Sequence, residues 1–131
     1  MDLRNLRKHA LHKSAYNDDL ETLIALSQEA HLTEGSEVLH YYAALAVSNG
    51  SVRVVSYLAD HFHEGPNESW EGTTHLEDSI MSGRSNIARI YLHKEAGLVP
   101  SNSERPSILH YLIRHEDIEL ARLFCSKIET Q

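Results

Sequence analysis

The sequence predicts an all-α fold, a solenoid of about four stacked helix-turn-helix units with projecting finger loops. Four segments of the 131-residue chain align with one another, and each places two helix-length apolar patterns around a short polar turn. No segment alternates apolar and polar residues over the length of a strand. We expect one domain over residues 1–131, with repeats at about 5–34, 35–67, 68–101 and 102–131.

The second helix of each repeat carries the clearest pattern. The segments "NDDLETLIALSQEA", "NGSVRVVSYLADHF", "RSNIARIYLHKEAG" and "HEDIELARLFCSKI" each open on a turn that leads to an aliphatic residue and another three positions later. These anchors are Leu20, Val52, Ile87 and Ile118, spaced by 32, 35 and 31 residues. Apolar residues occupy more than one side of these segments, which is typical of a helix packed between neighbours.

A second recurrence lies upstream of each anchor, in "LHKSAYNDD", "EVLHYYAALAVSNG", "TTHLEDSIMSG" and "PSILHYLIRHED". The separation of Leu39 from Val52 is four residues longer than that of Leu11 from Leu20. Four residues make about one helical turn, so we expect an extra turn in the first helix of repeat 2. Repeat 3 has about two extra residues around "SGRSN".

These residues resemble the ankyrin repeat family, whose repeat of this length carries a Thr-Pro-Leu-His-x-Ala signature. The chain matches that signature in part at "LHKSA", "EVLHYYAA", "EGTTHLEDS" and "PSILHYL", and its second helices, as in "DIELARLF", are similar to the family's. The resemblance covers about residues 5–128. It implies a structural hydrogen bond near a helix start for His12, His40 and His110, and Glu77 takes that position in repeat 3.

Charge and composition narrow the class of partner. The chain has a formal net charge of −7, one cysteine (Cys125) and no apolar run long enough to cross a bilayer. We therefore expect a cytoplasmic or nuclear protein that binds neither nucleic acid nor membrane. The charge is uneven, because residues 1–13 hold four basic side chains and one acidic one, whereas "DHFHEGPNESWEGTTHLED" holds six carboxylates and no Lys or Arg.

The ten histidines suggest a metal-binding alternative, carried by the pair His61 and His63 with His75 nearby in sequence. A His-x-His pair on a strand points both side chains the same way. No Cys-x-x-Cys or His-Glu-x-x-His spacing accompanies it, so we predict no metal site and no cofactor. The acidic pairs at 18–19, 77–78 and 116–117 fall near predicted helix starts, where they complement the helix dipole. With no phosphate-binding or nucleophile motif, we predict no catalytic residues and no enzymatic activity.

The resemblance places partner binding on a concave face made of connector tips and the exposed side of the first helices. Tyr and Trp are enriched at protein interfaces, although some of these tyrosines will pack between helices instead. Trp70 either faces the partner or covers a neighbouring finger or the edge of repeat 1. The predicted partner-binding residues are Tyr16, Tyr41, Trp70, Glu71, Met81, Tyr111, Arg114 and His115, and the same helix positions include Lys13, Asn17, Tyr42 and Asp78.

The predicted function is a protein-protein interaction module that acts as an inhibitor, adaptor or scaffold. The alternative is a structural subunit of a permanent complex. A partner with a basic or mixed-charge surface suits the acidic connector. We expect the chain alone to be a monomer, with Arg122, Ser126, Lys127 and Glu129 forming the outer face of the C-terminal repeat.

Overall fold

The computed structural model describes residues 3–94, 112–114 and 117–129, and these residues are mostly helical, which confirms the all-α prediction. A two-stranded antiparallel ribbon, β1 (Ser69–Trp70) and β2 (Thr73–Thr74), interrupts the helices. None of the helices in these ranges is long and apolar enough to cross a membrane. The helices are α1 (Leu3–Tyr16), α2 (Leu20–Glu29), α3 (Glu37–Ser48), α4 (Val52–Phe62), α5 (His75–Met81), α6 (Ser85–Lys94) and α7 (Ile118–Glu129).

The chain forms two compact units, Met1–Glu64 and Gly65–Gln131. In the first unit, α1 pairs with α2 and α3 with α4, while α1 also packs on α3 and α2 on α4. We call α1–α2 the first helical hairpin and α3–α4 the second. In the second unit, α5 and α6 form the third hairpin and α7 packs on α6. Residues 112–114 are also helical, and we call this stretch together with α7 the fourth hairpin. Large side chains buried in the two units include Leu11, Leu23, Leu39, Val54, Leu58, Leu76, Ile80, Ile87, Tyr91 and Leu120.

The four turns inside the hairpins share one hydrogen bond. In each, a backbone N–H donates to the carbonyl five residues earlier: Asp19 to Ser14, Ser51 to Ala46, Arg84 to Ser79 and Asp117 to Leu112, at 2.8 to 2.9 Å. This bond is the mark of a Schellman C-cap, which needs a left-handed residue just before the donor. Asp18, Gly50 and Gly83 supply it, with φ of 57°, 72° and 72°. The accepting residues recur every 32 or 33 positions along the chain.

These turns correct the alignment of the repeats at two places. Counting from the shared bond, Ser85 is the equivalent of Leu20 and Val52, so Ile87 corresponds to Val54 and the third turn has no extra residues. The sequence alignment matched Ile87 to Leu20 and Val52 because apolar side chains occur at both the first and the third positions of these helices. In the second repeat, Ala43 rather than Leu39 matches Leu11.

The first helix of repeat 2, α3, is longer than α5, but it is not the longest of the first helices. Helix α3 has 12 residues against 7 in α5, but α1 is longer still with 14. The helix α1 continues back through Leu3, Arg4, Leu6 and Lys8, which are good helix formers. His12 consequently lies ten residues into α1, not near a helix start.

Side chains cap the helices where the sequence has its acidic pairs, which confirms that prediction for the described residues. Asp19 accepts a hydrogen bond from the N–H of Thr22 at 3.3 Å, and Asp117 accepts one from the N–H of Leu120 at 3.3 Å. Thr74 and Glu77 form a capping box at the start of α5. Such caps satisfy backbone N–H groups that have no partner inside the helix. Glu116 lies outside the described residues.

Candidate partner-binding surface

Three equivalent positions at the C-terminal ends of the first helices form the helix-end face of each unit. Most of its residues are exposed, and Leu45, Asn49 and Asp78 are half-buried. Tyr16, Ser48, Met81 and Arg114 occupy the same repeat position, two residues after the carbonyl that closes the turn, and all four are exposed. Polar and apolar side chains mix there, as they do in protein interfaces. The face consists of Lys13, Tyr16, Asn17, Leu45, Ser48 and Asn49 in the first unit, and Asp78, Met81, Ser82 and Arg114 in the second.

The structure places the predicted binding residues Tyr16, Met81 and Arg114 on this face, and all three are exposed. Tyr111 and His115 lie outside the described residues, as does His110. Sequence reasoning missed Leu45, Ser48 and Asn49, because the Leu-His pair of repeat 2 sits one turn early and drew attention to Tyr41 and Tyr42. The segment "SNGS" follows the end of α3 as "YNDD" follows the end of α1. Aligning these two segments identifies Leu45, Ser48 and Asn49 as the equivalents of Lys13, Tyr16 and Asn17.

Tyr41 and Tyr42 belong to the packing between helices rather than to the helix-end face. The Tyr41 hydroxyl lies 2.7 Å from Nδ1 of His12, so this hydrogen bond joins α3 to α1. Tyr42 is buried, which raises the pKa of its phenol, and the nearby Tyr41 adds to that effect. Tyr41 is half-buried and its hydroxyl bonds to His12, and Tyr42 is buried in the core.

A short connector, residues 65–74, leads into α5, and we call it the finger. At its base, His75 N–H donates to the Glu68 carbonyl at 2.8 Å and Leu76 N–H donates to the Pro66 carbonyl at 3.2 Å. At its tip, Trp70 pairs with Thr73 across a two-residue turn in which Glu71 and Gly72 both have positive φ. That combination defines a type I′ turn, whose twist suits a β-ribbon.

The two predicted binding residues of the finger differ in their exposure to solvent. Glu71 is exposed at the tip, and Glu68 is exposed on the approach to β1. Trp70 is half-buried on β1, so part of its ring is covered and part remains available to a partner. A half-buried Trp offers a large apolar contact area that is already ordered, which is the property of an interface anchor.

Two of the six carboxylates between residues 60 and 78 are internal, which corrects the expectation that this acidity lies at the surface. Glu64 is buried and accepts a hydrogen bond from Nδ1 of His40 at 2.8 to 2.9 Å. Glu77 is buried in the capping box, where its Oε1 accepts from both the N–H and the hydroxyl of Thr74. The acidic surface of the finger therefore reduces to Glu68 and Glu71.

The three histidines of the metal-binding alternative lie in or at the end of helices, not on a strand. His61 lies in α4 and stacks on Tyr57 with ring centroids 5.0 Å apart. His63 ends α4 in a left-handed conformation and lies 2.8 Å from Glu34, with both side chains exposed. His75 is the buried first residue of α5 and stacks on Tyr91. The strand geometry that motivated a shared metal for His61 and His63 is absent from these described residues.

Hydrogen bonds between neighbouring hairpins hold the helix-end face in place within the first unit. The Asp18 side chain accepts from the N–H of Val54 at 2.9 Å, and the Ser51 hydroxyl donates to the Tyr16 carbonyl at 3.2 Å. Asp18 and Ser51, which make these bonds, lie in the turns beside the helix-end face. Tyr16 and Ser48 are thereby fixed relative to each other.

The same kind of link recurs in the second unit. The Ser85 hydroxyl donates to Asp117 at 3.0 Å, and the Arg89 guanidinium lies 3.9 Å from both Asp117 and Glu119. In the first unit, Arg53 pairs with Glu21 between the equivalent helices, and that hydrogen bond lowers the pKa of the Glu21 carboxyl. These exposed pairs orient neighbouring second helices and add little to stability.

Comparisons of the chain with protein-family models, with curated proteins and with solved structures found no match. The geometry of the described residues is therefore what bears on function.

Proposed function

We propose that the chain is a non-enzymatic protein-binding module of the ankyrin type, a solenoid that holds its partner on the helix-end face and the finger. The observation that carries this proposal is the recurrence of one exposed position, occupied by Tyr16, Ser48, Met81 and Arg114, next to four turns with the same hydrogen bond. Exposed Tyr, Met and Arg side chains on a rigid scaffold are enriched in interfaces.

Preorganisation supports the same function. The turns are closed by backbone hydrogen bonds, and in the first unit they are also tied to the next hairpin through Asp18 and Ser51. A surface that is ordered before binding loses little conformational entropy when the partner docks. A rigid surface of this kind acts by occupying or bridging partners, so the module serves as an inhibitor, adaptor or scaffold.

The finger suggests the chemistry of the partner. Trp70 offers an aromatic face, and Glu68 and Glu71 add negative charge on the same short segment. Lys or Arg side chains pair with exposed carboxylates and stack on aromatic rings. We therefore propose a partner that brings a basic or mixed-charge surface to the finger. By the same proposal the protein acts in the cytoplasm or nucleus.

Affinity capture from cell extract, followed by binding measurements with the recovered protein, tests this proposal. We expect Tyr16→Ala and the pair Met81→Ala with Trp70→Ala each to weaken binding by roughly tenfold or more while the helical circular dichroism stays unchanged. Gln28→Ala is the matched control, because Gln28 is exposed on α2 and lies outside both the face and the finger.

Two results would contradict the proposal. One is a recovered partner that binds the variants as tightly as the wild-type chain, because the face and finger would then be uninvolved. The other is catalytic turnover of a substrate by the purified chain. A large loss of stability in Trp70→Ala would show that Trp70 is structural and would leave the helix-end face to carry the proposal.

A further inference from the structure

The turn that joins α3 to α4 contains the only Asn-Gly sequence of the chain, Asn49-Gly50. Asn49 directly follows α3 and is half-buried, and Gly50 has a left-handed φ of 72°. The equivalent position of the first hairpin holds Asn17-Asp18. An Asn followed by Gly is chemically reactive, because Gly has no side chain to obstruct its own nitrogen and its backbone rotates freely.

The reaction is deamidation, which makes Asn a thermolabile residue, and water is the only other reactant. The Gly50 nitrogen forms a bond to Cγ of Asn49 while the bond from Cγ to Nδ2 breaks, and ammonia leaves with the amide proton of Gly50. Water then opens the resulting cyclic imide at either of its carbonyl carbons. The product is Asp, or isoaspartate in which the backbone runs through the former side chain.

The folded turn holds the reacting atoms apart. Ring closure needs the Gly50 nitrogen to eclipse Cβ of Asn49, but at the observed ψ of 4° it eclipses the backbone nitrogen of Asn49 instead. Rotation about ψ of Asn49 breaks the bond from Gly50 N–H to the Val47 carbonyl, which is 3.2 Å long. It also breaks the bond of 2.8 Å from Ser51 N–H to the Ala46 carbonyl, which closes the turn. The reaction therefore requires an open turn.

Two further hydrogen bonds oppose the reaction. Asn49 Nδ2 donates to the Leu45 carbonyl at 2.8 Å, which fixes the reacting amide one turn back along α3. The Asp18 carboxylate accepts from the N–H of Val54 at 2.9 Å and so holds the beginning of α4, just after the turn, against the first hairpin. Loosening this contact makes the turn easier to open.

We propose that Asn49 is a site of spontaneous deamidation that is controlled by the turn between α3 and α4, and that the products of deamidation weaken this turn. The modification is irreversible, so it marks molecules whose second hairpin has opened. It needs no partner and is independent of the proposed partner binding.

Both products weaken the turn for physical reasons. An Asp carboxylate has no proton to donate to the Leu45 carbonyl, and its charge lies at the negative end of the α3 dipole. In isoaspartate the backbone gains a methylene group before Gly50, which displaces the Ser51 N–H from the Ala46 carbonyl. The modified hairpin therefore opens more readily than the native one.

Peptide mapping by mass spectrometry measures the deamidation rate of each Asn in the chain. We expect Asn49 to react at least roughly a hundredfold more slowly in the folded chain than in the same chain unfolded in guanidinium chloride, because the rate follows the fraction of open molecules. Asn17 is the internal control for the chemistry. In the unfolded chain it should react more slowly than Asn49, because the side chain of Asp18 hinders the attack.

The variant Asp18→Ala tests the control by the turn. It removes a contact between the two hairpins and should speed deamidation of Asn49 in the folded chain by roughly tenfold, the change in open population expected from the loss of one hydrogen bond. Ser51→Ala, which loses its bond to the Tyr16 carbonyl, should act in the same direction. Gln28→Ala, at an exposed position in the last turn of α2, should react like the wild-type chain. Circular dichroism checks that each variant folds, and the rates in the unfolded chains should agree.

The variant Asn49→Asp reproduces one product and tests its effect. We expect it to lower the urea concentration at the unfolding midpoint. Asn17→Asp is the matched control at the equivalent helix end and should lower the midpoint less. Asn17 is exposed, and its side chain makes no hydrogen bond within the part of the chain that the structure describes.

Four results would overturn the inference. If Asn49 reacts as fast in the folded chain as in the unfolded one, the turn gives no protection. If Asn49 reacts no faster than Asn17 in the unfolded chain, it is not a preferred site. Folded Asp18→Ala and Ser51→Ala chains that both react at the wild-type rate would show that the turn does not control the reaction. An Asn49→Asp variant as stable as Asn17→Asp would show that the side-chain bond lost in the product contributes nothing.

Discussion

The Asp18 carboxylate accepts a hydrogen bond from the backbone N–H of Val54, 2.9 Å away and 36 residues further along the chain. Asp18 also holds the left-handed conformation, φ 57°, that closes the first turn. The backbone of Asp18 thus ends α1, and its side chain holds the beginning of α4 against that end. The bond lies between two hairpins of the first unit, so it reports on how they stack.

We expect Asp18→Ala to destabilise the first unit by about 2 kcal/mol, of which roughly half comes from the lost hydrogen bond and half from a left-handed Ala. Asp18→Asn keeps an acceptor oxygen and a residue type that tolerates this conformation, so it should stay within about 0.5 kcal/mol of wild type. Urea unfolding of both variants measures the difference. Equal losses in both variants would show that the Val54 contact contributes nothing.

We expect Thr74→Ala to cost about 1 kcal/mol, the usual penalty for losing a helix cap. The Thr74 hydroxyl accepts a hydrogen bond from the N–H of Glu77 at 3.1 Å, and the Glu77 carboxylate accepts one from the N–H of Thr74 at 3.1 Å. Because the two side chains act together, the losses in Thr74→Ala and Glu77→Ala should not add in the double variant. Additive losses in a double-mutant cycle would mean that the capping box does not form.

At the finger tip, we expect Glu71→Asn to stabilise the second unit by about 0.5 to 1 kcal/mol, because Asn tolerates positive φ better than Glu and Asn-Gly is the preferred type I′ pair. Gly72→Ala is the opposite control. No atom lies within 4 Å of an added Cβ at Gly72, so its expected loss of about 1 kcal/mol reflects the φ of 83° alone. Thermal unfolding compares the two, and a destabilised Glu71→Asn would contradict this turn geometry.

Tyr42 gives the first unit a dependence on alkaline pH. Burial raises the pKa of its phenol above the ordinary value of 10.0, so the folded chain holds this proton more tightly than the unfolded chain does. The stability that this difference provides is fully present below about pH 10 and is lost as the pH rises through the higher pKa of the folded state.

Absorbance at 295 nm should show a late-ionising phenol that disappears in Tyr42→Phe. Stability measured from pH 9 to pH 11 should fall less steeply in that variant. Identical titration curves for Tyr42→Phe and for the wild-type chain, once scaled for phenol number, would be inconsistent with a raised pKa at Tyr42.

The sequence predicted the helices well because their signals are local. The starts at Leu20, Val52 and Ile118 follow from a polar turn before an aliphatic pair, and the caps at Asp19 and Asp117 follow from acidic residues beside those turns. The alignment of the repeats was less accurate. The Leu-His pair at Leu39 and the anchor at Ile87 matched by composition, while the backbone hydrogen bonds that define equivalence are invisible in a pattern of apolar residues.

The candidate surface was harder to predict because exposure depends on neighbours distant in sequence. Tyr41 and Tyr16 are the same residue type on equivalent helices, yet His12 of α1 engages the first and leaves the second exposed. Glu64 and Glu71 sit seven residues apart in one acidic stretch, yet Glu64 is buried and bonded to His40 whereas Glu71 is exposed. Such distinctions arise from packing, which no single segment encodes.

Each of the four turns is closed by one backbone donor, Asp19, Ser51, Arg84 or Asp117, which directly precedes the next helix. A gene that duplicates or deletes about 33 codons between two of these positions therefore gains or loses a whole hairpin and keeps every turn intact. These points are where an engineer would cut the chain to shorten or extend the molecule.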